Sequence, residues 1–243
     1  KIMNLKLNEI ENWYQTLSGK INSELIIRSI KNFFNTSPEK NILYFGPEAI
    51  IKKIIENNYN FNSFYVSSSV SGDLAADLQK LPFKDSSIDN IILIHSLDID
   101  NNPHGAFREI DRIIKDDGQL VITGFNKLSL LFIYSYLPIK SIFRKRKYVG
   151  INRLHDWMSL FSYEVNQISN INKLPPMKSE KILNYFKFLN NSFFSKINYF
   201  GISYIFFAKK NTYKFILNKN WHKKDNIILG KFSKPIVHNN YER

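Results

Sequence analysis

The side chains best suited to chemistry stand where short apolar runs end. Gly46 closes Asn41-Ile42-Leu43-Tyr44-Phe45, and Ser67-Ser68-Ser69 follow Phe64-Tyr65-Val66. Asp77 and Leu78 open the corner that leads to Leu81-Pro82-Phe83, His95 ends Asp89–Ile94, and Asn126 follows Gln119–Phe125. Each type offers something different. An ionised aspartate only accepts hydrogen bonds, an amide such as Asn126 both donates and accepts, and a serine hydroxyl does either. An imidazole titrates near neutral pH and can take a proton from a reacting oxygen or nitrogen. A glycine lets a ligand approach the backbone closely. Each also has a plain structural alternative: Asp77 as a loop cap, His95 as a hydrogen-bonded pocket residue, Asn126 as the cap of a following helix, and Leu78 with Phe83 as ordinary core.

Other chemistries are missing their residues. The chain contains no cysteine, which removes disulfides, thiolate nucleophiles, iron–sulfur clusters and cysteine-ligated zinc. His95, His104, His155, His222 and His238 are scattered without metal-ligand spacing, so no metal site is expected. Phosphate-loop, zinc-protease and nucleophile-elbow motifs do not occur.

The elements that must position these residues alternate. Apolar residues recur three or four apart over 5–35 (Leu5, Ile10, Trp13, Leu17, Ile26, Ile30, Phe33), as in helices that cover a sheet. The run 41–46 reads as a buried strand, Glu48–Asn57 as a helix, 62–67 as a strand and 89–95 as a strand buried on both faces. Pro103 suits the first turn of a helix whose stripe is Ala106, Phe107, Ile110, Ile113 and Ile114, ending by Asp116-Asp117-Gly118. A strand over 119–124, a helix over 152–161, a strand over 164–168, a helix over 180–194 and a hairpin or paired edge strand over 198–209 complete the expectation. Strand and helix alternating in this way predict an α/β fold built on a mostly parallel sheet with helices on both faces. In such a sheet the ligand sits beyond the carboxyl ends of the strands, where the residues above are found.

Composition sets the outer bounds. The 243 residues are 44% hydrophobic, 15% aromatic and 23% charged, which suits a globular domain and not a disordered or collagen-like chain. Thirty-four Lys and Arg against 21 Asp and Glu give a net charge of +13. Such a surplus attracts polyanions, although lysine far outnumbers arginine and is spread along the chain. The densest cationic stretch is Lys140–Lys147, directly after the apolar run 128–139. This segment, about 125–150, is expected to form a lid, with contact to RNA or an anionic membrane surface as the alternative. The longest apolar runs fall short of the roughly 20 residues of a spanning helix, so a soluble, cytoplasmic protein is expected. The expected organisation is a domain over 1–210, with an N-terminal helical cover over 1–37, and a basic, mobile tail over 211–243.

Several segments together resemble a known family. They are Asp77–Asp89, then Ile94-His95-Ser96-Leu97, then Asn102–Lys115, then Gly118–Leu130 with its Gly-Phe-Asn after the strand, and Leu154–Phe161. In this order they are similar to the class I S-adenosylmethionine-dependent methyltransferases of the type 11 group, and the Gly-Phe-Asn resembles a proteobacterial subgroup of it. The resemblance spans roughly residues 10–210, most strongly 73–161. It implies a Rossmann-like methyltransferase fold with a seven-stranded sheet, S-adenosyl-L-methionine as cofactor and a small-molecule acceptor. Gly46, Ser67, Asp77, Leu78 and His95 would hold the cofactor, with Asp77 accepting from the adenine amino group. His95 would serve as catalytic base and Asn126 would bind substrate or the methionine carboxylate.

The departures are specific. The family's first loop carries an acidic residue and two or three glycines, whereas this chain has Tyr44-Phe45-Gly46-Pro47-Glu48. The second strand ordinarily ends in an acid that binds both ribose hydroxyls, and here serines stand, without charge-assisted strength. A non-catalytic descendant, a binding or interaction module that kept the sheet and lost the cofactor loop, is therefore the rival expectation, alongside the RNA or membrane reading of Lys140–Lys147.

Overall fold

The structure is a computed structural model and describes residues 2–34, 41–56, 62–67, 72–129, 148–172 and 201–211. Two helices open the chain, α1 (Ile2–Tyr14) and α2 (Leu17–Phe34), separated at Thr16, whose hydroxyl donates to Trp13 O and accepts from Gly19 N. Next come β1 (Ile42–Phe45), α3 (Glu48–Glu56), β2 (Ser63–Ser67), the two-residue β3 (Leu74–Ala75) and β4 (Ile88–Ile94). A single-turn helix α4 (Ser96–Ile99), α5 (Pro103–Ile113), β5 (Ile114–Phe125), α6 (Ile151–Leu160), β6 (Tyr163–Ile171) and β7 (Ser203–Lys210) follow.

The strands form one seven-stranded sheet in the order β3-β2-β1-β4-β5-β7-β6. Strands β1 to β5 run parallel, and β7 alone is reversed, pairing antiparallel with β5 on one side and β6 on the other. The mostly parallel seven-stranded sheet expected from the sequence is thus present. One placement is corrected: the segment read as a hairpin or edge strand over 198–209 is an interior strand, and β6 is the edge. The physical reason is that Tyr204-Ile205-Phe206-Phe207-Ala208 is apolar at every position and buried on both faces, which suits a strand with neighbours on each side. A second correction concerns the helix end. The amphipathic stripe stops at Ile113, and Ile114 already belongs to β5, paired with Ile88.

Alternation along the central strands divides the core in two. Ile92 and Ile94 of β4, Tyr44 of β1 and Phe207 of β7 face Ile10, Trp13, Ile26 and Ile30 of the N-terminal helices and Ile51 of α3. Ile91 and Leu93, with Leu43, Leu120 and Phe206, face Phe107 and Ile110 of α5 and Leu154 and Met158 of α6. The N-terminal helices therefore cover one face, as their period implied, and α5 with α6 covers the other.

Helix α5 fixes the corner before β4. Asn102 caps it, its Oδ1 accepting from Gly105 N at 3.1 Å, and Pro103 occupies its first turn. From its last turns Arg112 donates to Leu81 O and Phe83 O, while Glu109 accepts from Leu81 N at 2.9 Å. The Leu81-Pro82-Phe83 corner and the Arg-Glu-Ile-Asp-Arg stretch, far apart in sequence, are thus one structural unit.

The expected helix over 180–194, the basic run Lys140–Lys147, most of the expected lid and the tail beyond 211 lie outside the described residues. Among the described residues no helix is long and apolar enough to cross a membrane.

Candidate functional site

The carboxyl ends of β1, β2 and β4 surround a cleft. It holds about 430 Å³ of empty space open to solvent and is lined by Leu7, Phe45, Gly46, Val66, Ser67, Ala76, Leu78, Ser96, Ile99 and Asp100. Gly46 sits at its floor with φ 141°, a conformation that side chains rarely tolerate, and a Cβ added there would stand 2.3 Å from Ile94 O. Only glycine fits, and the consequence is a bare stretch of backbone at the strand end. Tyr65 steadies that turn by donating its hydroxyl to Gly46 O at 3.1 Å.

Of the residues singled out in the sequence, Gly46, Ser67 and Leu78 line the cleft. Asp77 stands beside it, exposed, its Oδ1 accepting from Gln79 N at 3.0 Å. A carboxylate held this way caps the turn and keeps lone pairs turned to solvent.

His95 is placed differently from the expectation that its ring projects toward the ligand. It is fully buried and does not line the cleft. The backbone at His95 takes the left-handed conformation, φ 53° and ψ 12°, between β4 and α4. That turn swings the imidazole away from the strand end and onto Phe125, with ring centroids 3.8 Å apart, beside Tyr14 at 5.8 Å. Its Nδ1 lies 3.2 Å from Asp98 Oδ2. The hydrogen bond to a carboxylate oxygen needs a proton on Nδ1, and Nε2 has no hydrogen-bond partner among the described residues.

Asn126 likewise belongs to a structural corner. It is buried, its Oδ1 accepts from Leu128 N at 3.0 Å, and its amide donates to Asn170 Oδ1 at 3.2 Å. Capping a turn is thus what it does here, and it is not among the cleft-lining residues.

Asp98 holds this corner together. Its Oδ2 accepts from Phe125 N at 2.8 Å as well as meeting His95, and its Oδ1 accepts from Val149 N at 3.4 Å. Tyr204 of β7 donates its hydroxyl to Val149 O at 3.0 Å. Burial, reinforced by the Asp98 charge, pushes the Tyr204 and Tyr14 phenols well above their ordinary range, so both stay neutral, Tyr204 donating to Val149 O and Tyr14 accepting from Asn22 Nδ2.

Sequence reading missed Asp100. Its side chain is buried at 5% exposure and lines the cleft. Oδ1 accepts from Asn102 N at 2.7 Å and from Gln79 Nε2 at 2.8 Å, whereas Oδ2 has no hydrogen-bond partner. The available signal was the alternation Asp98-Ile99-Asp100 directly after a buried strand, which puts a second acid within reach of the strand end. Among the described residues there is no cluster of three or more His, Asp or Glu side chains that could hold a metal ion.

The strand order, with one reversed strand next to the far edge, is that of the Rossmann-like methyltransferase fold. A S-adenosylmethionine-dependent methyltransferase from Archaeoglobus fulgidus superposes with a TM-score of 0.57 at 16% identity, over 77% of this chain and 94% of that one. Geranyl diphosphate C-methyltransferase from Streptomyces coelicolor, solved with Mg²⁺, geranyl diphosphate and S-adenosyl-L-homocysteine, superposes with a TM-score of 0.52 at 12% identity, over 77% and 78%. Residues 52–122 match the family model described as a methyltransferase domain. The uncharacterized protein YafS of Escherichia coli is 37% identical over 129 residues, half of this chain and 53% of that protein. The chain spans 53% to 60% of the length of the curated relatives it matches.

Proposed function

We propose that this chain is a methyltransferase that binds S-adenosyl-L-methionine in the cleft beyond β1, β2 and β4 and acts on a small-molecule acceptor. The observation that carries the reading is Gly46: a glycine held at φ 141° at the carboxyl end of β1, where any Cβ would meet the backbone of β4. It supplies bare backbone beside Ser67 and Leu78, in a sheet whose order matches that of methyltransferases of known structure. The donor set suits a nucleoside. Leu78, Val66 and Phe45 give an apolar wall for a base, Ser67 offers a hydroxyl, and Asp77 at the cleft's border accepts from an exocyclic amine.

When bound, the cofactor supplies an electrophilic methyl group on a sulfonium sulfur. The chain's task is then alignment: holding the nucleoside and exposing the methyl to an acceptor in line, an effect that lowers the barrier without a covalent enzyme intermediate. His95 and Asp98, sequestered in the core, act in this reading as positioning residues for the turn after β4. A base, where the acceptor needs one, would come from another group.

A second reading is favoured by that same burial of His95. A cleft with no histidine among its described lining residues also suits a binding module that holds a nucleoside without turning it over.

Thermal unfolding with S-adenosylmethionine or S-adenosylhomocysteine titrated to millimolar levels tests the binding step. A ligand of the folded state adds about 2.7 kcal/mol at 100 times Kd, so the midpoint should rise. The rise should shrink in Asp77→Ala, an exposed position whose loss leaves the fold intact. No shift with either compound removes the cofactor reading. A shift without methyl transfer to any acceptor in a small-molecule panel favours the binding module.

A further inference from the structure

Within the cleft the charges run against those of the chain. The protein carries a net +13, yet among the described residues that line the cleft the only ionisable side chain is the acid Asp100. Asp100 is also half-used. One oxygen is consumed by Asn102 N and Gln79 Nε2, and the other, closed off from solvent at the wall that the residue forms, accepts nothing from the described residues. A buried carboxylate oxygen left without a donor is costly, and native structures seldom keep one without a reason. Ser96 Oγ, on the same wall, is spent on Ile94 O at 3.4 Å. No described residue on this wall would neutralise a phosphate.

We infer that Asp100 selects the ligand of this cleft: its Oδ2 accepts a hydrogen bond from an N–H or O–H of a neutral or cationic nucleoside, and its charge turns away phosphorylated ones. The inference rests on the cofactor reading above and assigns it a residue and a sign of charge. Asp100 is a binding residue here, with no part in proton transfer. Its Oδ1 contacts explain how it is held: Asn102 caps α5, and Gln79 follows the cleft-lining Leu78, so the carboxylate is fixed between the β4 and β3 sides of the cleft.

Isothermal titration of the full chain with S-adenosylmethionine, S-adenosylhomocysteine and adenosine monophosphate, at fixed salt, tests this. The wild type should bind the first two and bind the monophosphate at least about tenfold more weakly. Asp100→Asn keeps an acceptor for Asn102 and Gln79 and replaces only the second oxygen. It should weaken the first two ligands roughly tenfold to a hundredfold, the range of a hydrogen bond to a charged group, and narrow the gap to the monophosphate. Binding of the monophosphate to the wild type as tightly as S-adenosylmethionine overturns the inference, even if the variant does not fold. Unchanged affinities in a folded Asp100→Asn overturn it while leaving the cofactor reading in place. Failure of the wild type to bind either adenosyl compound removes both.

Discussion

Two buried carboxylates two residues apart, Asp98 and Asp100, sit in opposite kinds of surroundings. Asp98 looks toward the corner where β4, β5 and the segment at Val149 meet, and both of its oxygens are occupied. Asp100 looks toward the cleft, and one oxygen waits. The corner collects the residues that a reading of residue types marks as reactive, His95 and Asn126, and uses them to tie strands together. The cleft has fewer polar groups, and its unused atom, Asp100 Oδ2, belongs to a residue that borders open space, whereas the unused atom of the corner, His95 Nε2, is enclosed in the core. Unspent bonding capacity beside open space, more than residue type, separates a binding surface from a brace.

The largest expected effect tests the corner. Asp98→Ala strips an acceptor from Phe125 N, Val149 N and the His95 ring at once, and a buried network broken on one side costs about 3–5 kcal/mol. Chemical denaturation should show that loss, and a drop below about 1 kcal/mol would mean that the corner is not a brace. Gly46→Ala comes next, combining a disfavoured φ with contact against Ile94 O. It should cost about 1–3 kcal/mol and lower affinity for S-adenosylmethionine, read by melting and titration together. Tyr204→Phe leaves Val149 O without its hydroxyl donor and should cost about 1–1.5 kcal/mol. Asp100→Asn, by contrast, should shift stability by less than Tyr204→Phe while binding falls. If it destabilises as much as Asp98→Ala, the contrast between the two acids collapses.

A smaller effect appears in acid. The hydrogen bond from Arg112, opposed by partial burial, holds the Glu109 carboxyl below its usual range. A depressed carboxylate contributes stability that is present above its unfolded value and lost as pH falls through the folded one. The stability gap between wild type and Glu109→Gln should therefore be full near about pH 6 and close toward about pH 3. A gap that stays constant over that window would remove the charge from the account of the Leu81–Phe83 corner.

Much of the architecture was legible. The apolar runs at 41–46 and 89–95 and the stripe Ala106, Phe107, Ile110 and Ile113 carry their periods openly, because the faces they bury are set by local spacing. The position of β7 was not, since an all-apolar run fits an interior strand in either direction and only its partners decide. At the site, Gly46, Ser67 and Leu78 were legible because strand ends place them. His95 was misplaced because a left-handed turn at a single residue reversed its direction, and a histidine in that conformation leaves no mark in hydrophobic spacing. Asp100 was missed for a related reason: two acids one apolar residue apart look alike until a one-turn helix sends them to different neighbours.

The reversed strand also fixes an order of assembly. Among the described strands β6 pairs only with β7, and β5 finds its outer neighbour only in β7. As the chain is synthesised, β6 is therefore finished some thirty residues before β7, its partner in the sheet, begins, and the outer edge of β5 waits for the same strand. Such edges invite association between chains. The half of the sheet that holds Asp98's corner is closed by β7, and until Ser203–Lys210 emerges that half depends on being kept apart from other chains.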